Sequence, residues 1–271
     1  MSVEKRLSEG VDHPISYSIT ADHEHRDLAL GVAETYLDSI IDSIVNHPRS
    51  LQKRIGPSEL GKPCRRDVLH KLNGDPEPPR PSVPWKPTVG TAVHSYMDGL
   101  FSSAANPGGR EEGRWLCEET VSVGHVGGTE ITGSCDLYDR WSGTVLDHKI
   151  IGNWAMKNYR ANGPSEQYRR QAHLYGKGFE DDGFPVKLVA IAFLPRDGEL
   201  TDAYIWTAPY ERSIAEDTLK TVNHLETLRT ALGIDAALAL YEPCEDRWCP
   251  WCGTQSTFTP RKPSNDLQLI P

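Results

Sequence analysis

ITGSCDLYDRWSGTVLDHKI, residues 131–150, is the stretch whose reading decides the fold. Residues 129–138 and 143–150 read as two strands around a turn at Ser142-Gly143, and residues 115–126 read as a third, joined through Gly127-Gly128. On the second strand of the quoted stretch, Asp147 and Lys149 stand two residues apart and point to one face. Their neighbours are Val145, Leu146, Ile150 and Ile151. A carboxylate and an ammonium beside a sheet core are costly unless paired or metal-bound. Asp136, on the adjacent strand, is placed to reach the same point. Two carboxylates at one point raise each other's pKa unless a cation holds both ionised. Hard oxygen ligands of this kind suit Mg²⁺ or Mn²⁺. Phosphodiester hydrolysis needs such a set, with cations to activate water and neutralise charge, and a lysine to orient the water or stabilise developing charge. The plainer alternative is a surface ion pair at a hairpin end.

Helical patterns flank the strands. Leu30, Ala33, Leu37, Ile40, Ile41 and Ile44 predict a helix over about 27–46, ending at His47-Pro48. A second is expected over 58–72, between Pro57 and Gly74, and a third over 89–101. Residues 75–87, DPEPPRPSVPWKP, read as an extended linker or ordered loop, and 106–109 as a loop. Ser165–Phe179 returns to helix. VKLVAIAFL, residues 186–194, suits a buried central strand with a hairpin partner at 201–207. Residues 211–241 predict a long helix with a break at Gly233. Strands followed by a helix and further strands predict an α/β sheet with helices on its faces. The expected organisation is a flexible stretch over 1–22, a single domain over 23–260 and a tail over 261–271. Within that domain, 23–87 is the helical part, 88–210 the core and 211–260 the closing helix and cysteine segment.

CEDRWCPWC places Cys244, Cys249 and Cys252 within nine residues. Three thiolates leave a four-coordinate site one ligand short, and Cys64, in GKPCRRD, is the best fourth. Cys117 and Cys135 fall within strands and read as small buried hydrophobes. Four thiolates hold zinc or an iron–sulfur cluster; zinc sites usually draw on paired Cys-x₂-Cys knuckles, so one distant cysteine with a trio fits iron–sulfur better. A ligand set spanning Cys64 to Cys252 ties the N-terminal helices to the C-terminal segment, which couples metal binding to folding.

The quoted strands resemble the PD-(D/E)xK nuclease superfamily, and within it the RecB-like exonucleases. Gly133-Ser134-Cys135-Asp136 matches that family's Gly-x-x-Asp strand and Asp147-His148-Lys149 its Asp-x-Lys. Gly90-Thr91-Ala92-Val93-His94 is similar to its Gly-x-x-x-His helix, and Gln171-Ala172-His173-Leu174-Tyr175 to its Gln-x-x-x-Tyr helix. The four occur in the family's order. The resemblance implies a restriction-endonuclease-like mixed sheet flanked by helices. It implies Mg²⁺ or Mn²⁺ held by His94, Asp136, Asp147 and the backbone carbonyl of His148, with Lys149 as the catalytic lysine. Gln171 and Tyr175 would brace the site or the DNA backbone. The His148 side chain either adds a ligand or faces away. One cysteine before the core and three after it resemble the iron–sulfur branch of these nucleases, which includes the CRISPR-associated exonucleases of the fourth Cas family and the AddB nuclease domain. That implies a [4Fe–4S] cluster on Cys64, Cys244, Cys249 and Cys252.

Net charge is −9, which weighs against a surface-wide nucleic-acid binder. Charge is nonetheless uneven. Arg65 and Arg66 lie in one basic stretch, Lys157, Arg160, Arg169 and Arg170 in another, and these are the candidate DNA contacts. Trp154, Tyr159, Tyr168 and Tyr175 are interleaved with the second as stacking platforms. The expected function is a metal-dependent DNA exonuclease acting on single-stranded ends, in recombination, repair or spacer processing. A 5′-to-3′ polarity is implied by resemblance alone. The alternatives are a structure- or sequence-specific endonuclease on the same fold, or a non-catalytic DNA-end-binding subunit. No Gly-x-x-x-x-Gly-Lys-Ser/Thr motif occurs, so unwinding would fall to a helicase or recombination partner. No apolar run is long enough to span a membrane, and the first residues lack a secretory signal. The expected location is the cytoplasm of a prokaryotic cell or of a virus-infected prokaryotic host.

Overall fold

A five-stranded sheet in the order β1-β2-β3-β4-β5 carries the molecule. The strands are β1 (Trp115–Val126), β2 (Thr129–Asp139), β3 (Thr144–Ile151), β4 (Leu188–Pro195) and β5 (Tyr204–Pro209). The computed structural model describes residues 25–45, 55–78, 85–103, 113–246 and 248–253. The loop expected at 106–109, the stretch 1–22 and the tail 261–271 lie outside them.

β1, β2 and β3 form an antiparallel meander, β3 and β4 run parallel, and β4 and β5 are antiparallel. A parallel pair needs a crossover of a dozen residues or more. Here α5 (Asn153–Asn162) and α6 (Glu166–Asp181) supply it. The helix α5 lies in a stretch for which no element was expected; only Met156 of its ten residues is buried, with Ala155 and Tyr159 half-buried beside it, so its apolar face is short. The apolar run expected as a buried central strand is β4, inside the sheet between β3 and β5, with Ala190, Ile191, Ala192 and Phe193 all buried.

The expected helix at 58–72 is two helices, α2 (Pro57–Leu60) and α3 (Arg65–Asn73). Gly61-Lys62-Pro63 interrupts it, because Pro63 has no N–H to donate and restricts the residue before it. Cys64 then caps α3, its sulfur accepting from Asp67 N at 3.4 Å. Before the sheet, α4 runs over Trp85–Ser102, four residues earlier than expected, with Pro87 in its first turn, where a missing N–H costs no bond. The long C-terminal helix breaks at Gly233 (φ +83), as expected, into α7 (Arg212–Leu232) and α8 (Ile234–Ala239). The remaining helix, α1, covers Arg26–Val45.

The helix α6 packs against β1, α2 and α7. Its Phe179 stacks on Tyr138 of β2 at 4.5 Å, inside a core that includes Val121, Val145, Leu174 and Ile191. Two devices fix the β2–β3 hairpin. At its turn, Asp139 accepts from Arg114 Nε and Nη2 at 3.0 and 2.9 Å, from Trp141 N at 3.0 Å and from Ser142 Oγ at 2.8 Å. Burial works against the Asp139 carboxylate, but these donors outweigh it and hold its pKa below the ordinary value. Along β2, Gly133 lies so close to α2 and α6 that a Cβ there would sit 2.6 Å from Pro57 Cγ and 3.2 Å from Tyr175 Cε1.

Candidate functional site

The pairing of β2 with β3 covers three steps: Asp139 with Thr144, Tyr138 with Val145 and Leu137 with Leu146. The next step in that register would set Asp136 opposite Asp147, and there the ladder stops. Asp136 fills the gap with its side chain, Oδ2 accepting from His148 N at 2.6 Å. The fork between two strands therefore carries both carboxylates, with β3 still held on its other side by β4.

Two subsets meet at this fork. In the first, His94 of α4 places Nδ1 3.1 Å from Asp136 Oδ1. The Asp136 bond raises the His94 pKa above the ordinary imidazole value. Burial pushes the Asp136 carboxyl up, but His94, His148 N and Lys149 outweigh it and the net shift is downward. Glu118 of β1 completes the group: one ligand atom each from His94, Glu118 and Asp136 lies within 4.8 Å of the others. In the second subset, Asp147 Oδ2 meets Lys149 Nζ at 2.6 Å. Burial pushes the Asp147 carboxyl up to about 6, with Lys149 pulling it back. Asp147 is 2% exposed, so its charged form needs a compensating cation. Lys149 Nζ also stands 5.0 Å from the centre of the Tyr168 ring on α6.

Gln171 and Tyr175, one helical turn apart on α6, are both buried. Gln171 Oε1 has no hydrogen-bond partner among the described residues. Burial raises the Tyr175 phenol well above its ordinary value, which keeps it a neutral O–H. The His148 side chain is buried toward α4, 6.0 Å from the His94 ring and 6.5 Å from Phe101 by ring centres, and burial lowers its pKa.

Glu118 is the site residue that sequence reading missed. The turn at Gly127-Gly128 pairs Val126 with Thr129 and Gly124 with Ile131; continued unbroken, it would set Glu118 opposite Leu137. A bulge between Ser122 and Gly124 shifts the register by one, so Glu118 falls opposite Asp136. Glu118 also has a positive φ of 49°, the one such non-glycine among the described residues.

The basic residues divide. Lys157 and Arg169 are exposed and Arg65 is half-buried. Arg66 Nη1 donates to Leu238 O at 2.8 Å and Tyr241 O at 3.2 Å, Arg160 donates to Asp202 O at 2.6 Å, and Arg170 pairs with Glu166. Of the four aromatic platforms expected, Trp154 is exposed, at 81%. Tyr159 stacks on Phe193 at 4.6 Å, Tyr168 is packed against the core and Tyr175 is buried.

Cys64, Cys244, Cys249 and Cys252 converge as a second group, each sulfur within 4.8 Å of the others. These four thiols lie close enough together to hold a metal ion, between the start of α3 and the segment after α8. Cys135 is fully buried in β2 and Cys117 half-buried in β1, outside that group.

No protein-family model matches the sequence, and no curated protein matches it. Among solved structures, the chain is similar to an alkaline exonuclease (LHK-Exo) from Laribacter hongkongensis, with 9% identity, 69% of this chain and 91% of that one covered, and a TM-score of 0.42. It is similar to the protein solved as SSO0001, with 14% identity, 82% and 93% covered and a TM-score of 0.45. It is also similar to a phage related exonuclease from Haemophilus somnus 129PT, with 14% identity, 64% and 99% covered and a TM-score of 0.28. No helix among the described residues is long and apolar enough to cross a membrane.

Proposed function

We propose that this chain is a divalent-cation-dependent DNA exonuclease. The observation that carries the reading is the fork: Asp136 and Asp147 stand where the β2–β3 ladder ends, with His94 against one and Lys149 against the other. His94, Asp136, Asp147 and the carbonyl of His148 would hold Mg²⁺ or Mn²⁺, and Glu118 adds a carboxylate to the set. A cation held there supplies charge neutralisation and a water of lowered pKa. Lys149, steered by Asp147 and Tyr168, presents an ammonium toward the phosphate oxygens and favours the charge that develops on them. Tyr175 and Gln171 hold the α6 side of the site, and Gln171 Oε1, without a partner among the described residues, is an acceptor open to a ligand or water. Lys157, Arg169 and the exposed Trp154 offer charge and a stacking face to a single strand. Action at ends, a 5′-to-3′ polarity and a helicase partner belong to this same proposal and rest on the resemblance of the motifs.

Linear and covalently closed single-stranded DNA, offered with Mn²⁺ or Mg²⁺, test it together with Asp147→Ala and Lys149→Ala. The linear strand should be degraded and the circle spared, with each variant slowed by at least about a hundredfold. Equal cutting of the circle would make the protein an endonuclease. End binding without cutting would make it a non-catalytic subunit. Variants as active as the wild type would remove the site from the chemistry.

A further inference from the structure

The four cysteine sulfurs lie closer together than an iron–sulfur cube allows. Cys64 Sγ is 3.7 Å from Cys252 Sγ and 3.8 Å from Cys249 Sγ, and no pair in the set exceeds 4.8 Å. One ion at the centre of a tetrahedron, bonded to sulfur at about 2.3 Å, sets its thiolates about 3.8 Å apart. In a [4Fe–4S] cluster each thiolate binds a different iron and points outward from the cube, which spreads the sulfurs to roughly 6 Å. Admitting the cube would mean drawing the C-terminal segment away from α3, and that segment is tied down. Arg66 of α3 holds Leu238 O and Tyr241 O. Trp251 stacks on His70 of α3 at 3.7 Å with an interplanar angle of 11°, and His70 is fixed by Asp75 at 2.7 Å.

The local backbone suits a single ion as well. Cys249 N donates to Asp246 O at 3.0 Å and Gly253 N to Cys249 O at 2.9 Å, which turns the chain tightly through Cys249-Pro250-Trp251-Cys252, and Cys64 Sγ accepts from Asp67 N at 3.4 Å. Such a donor orients its thiolate and offsets its charge beside one small cation. Zinc prefers a closed tetrahedral S₄ shell and binds more tightly than ferrous iron in a given site.

We propose that Cys64, Cys244, Cys249 and Cys252 hold one tetrahedral zinc ion, in place of the four-iron cluster that the resemblance implies. The ion joins α3 to the C-terminal segment and takes no part in the chemistry at the fork.

The full chain, purified without oxygen from iron-replete cells, is assayed for zinc, iron and acid-labile sulfide, before and after treatment with ferrous iron and sulfide. One zinc per chain, no sulfide and no visible colour are expected, unchanged by the treatment. Exchange with Co²⁺ should then give the visible ligand-field bands of a tetrahedral tetrathiolate. Cys117→Ala, outside the set, should keep one metal per chain, whereas Cys249→Ala should fall to near zero. About four irons and four sulfides per chain, in either preparation, would overturn the proposal; so would one iron without sulfide. None of these readouts involves nuclease activity, so they stand whether or not the fork cuts DNA.

Discussion

Asp147 faces two opposed demands. Its burial favours the neutral acid, while cation binding needs the carboxylate. Substituting it should therefore separate stability from binding. At neutral pH, Mn²⁺ at a hundred times its dissociation constant should stabilise the wild type by about 2.7 kcal/mol. Asp147→Asn and Asp136→Asn should show little of that rise, and thermal melting with and without Mn²⁺ checks it. Asp139 titrates in the opposite sense. Its pKa is depressed in the fold, so its bonds contribute stability above the unfolded value near about 4, and that stability is lost as pH falls through the depressed value. Asp139→Asn should cost about 2 kcal/mol at pH 7, with the difference from wild type shrinking in acid melts. Gly133 has a steric rather than an electrostatic role. The Cβ of Gly133→Ala would meet Pro57 and Tyr175, which predicts a loss of about 1–3 kcal/mol, read by denaturant titration. By contrast, Gly90, in the helix motif with His94, has nothing within 4 Å of a would-be Cβ. Sterics at that position do not call for glycine.

At the scale of elements, the strands were the most legible part of the sequence. Alternation and the paired glycines bounded β1, β2 and β3 to within about a residue, and these strands carry Asp136, Asp147 and Lys149. Helix boundaries were blurred where apolar spacing continued through a backbone obstacle, as across Gly61-Lys62-Pro63. The helix α5 was invisible because its core-facing side is short, only Met156 being buried with Ala155 and Tyr159 beside it. Glu118 was hidden for a different reason: a single bulge changes which residue a strand sets opposite Asp136, and hydrophobic pattern does not record it. The basic stretches show the converse limit. Composition marks where charge lies but not how it is engaged, and Arg66, Arg160 and Arg170 turn out to have acceptors within the protein. Exposed faces of α5 and α6 remain, with Lys157 on one and Arg169 on the other. Lys157→Ala and Arg169→Ala should each weaken single-strand binding and lower the salt slope by about 0.7. Fluorescence anisotropy across a salt titration reads both. Binding of Mn²⁺ should be unaltered.

Across the whole molecule, the cysteine group joins residues 188 positions apart. It fastens α3, which packs against α7 and α8, to the segment that follows them. A metal held there would be coupled to folding, because an unfolded chain does not keep Cys64 beside Cys244, Cys249 and Cys252. Stripping it with a chelator should lower the melting temperature and release the C-terminal segment to exchange with solvent before the sheet, which deuterium exchange would resolve. The fork and the cysteine group draw on different elements, so losing the second should weaken the first only through global stability.

The same closure bears on how the protein would survive damage. A protease that nicks the chain between residues 64 and 252 cuts a closed circuit rather than an open string. With the proposed metal bound, the two pieces would stay fastened at its thiolates, where an ordinary loop cleavage leaves fragments held by packing alone. A nicked sample should run as two bands under denaturing conditions with the metal removed, yet migrate as one species on a native gel until chelator is added. In a cell that degrades foreign or stressed proteins, such a chain would keep its shape after a first cut and be lost only at a second, or when its metal is taken.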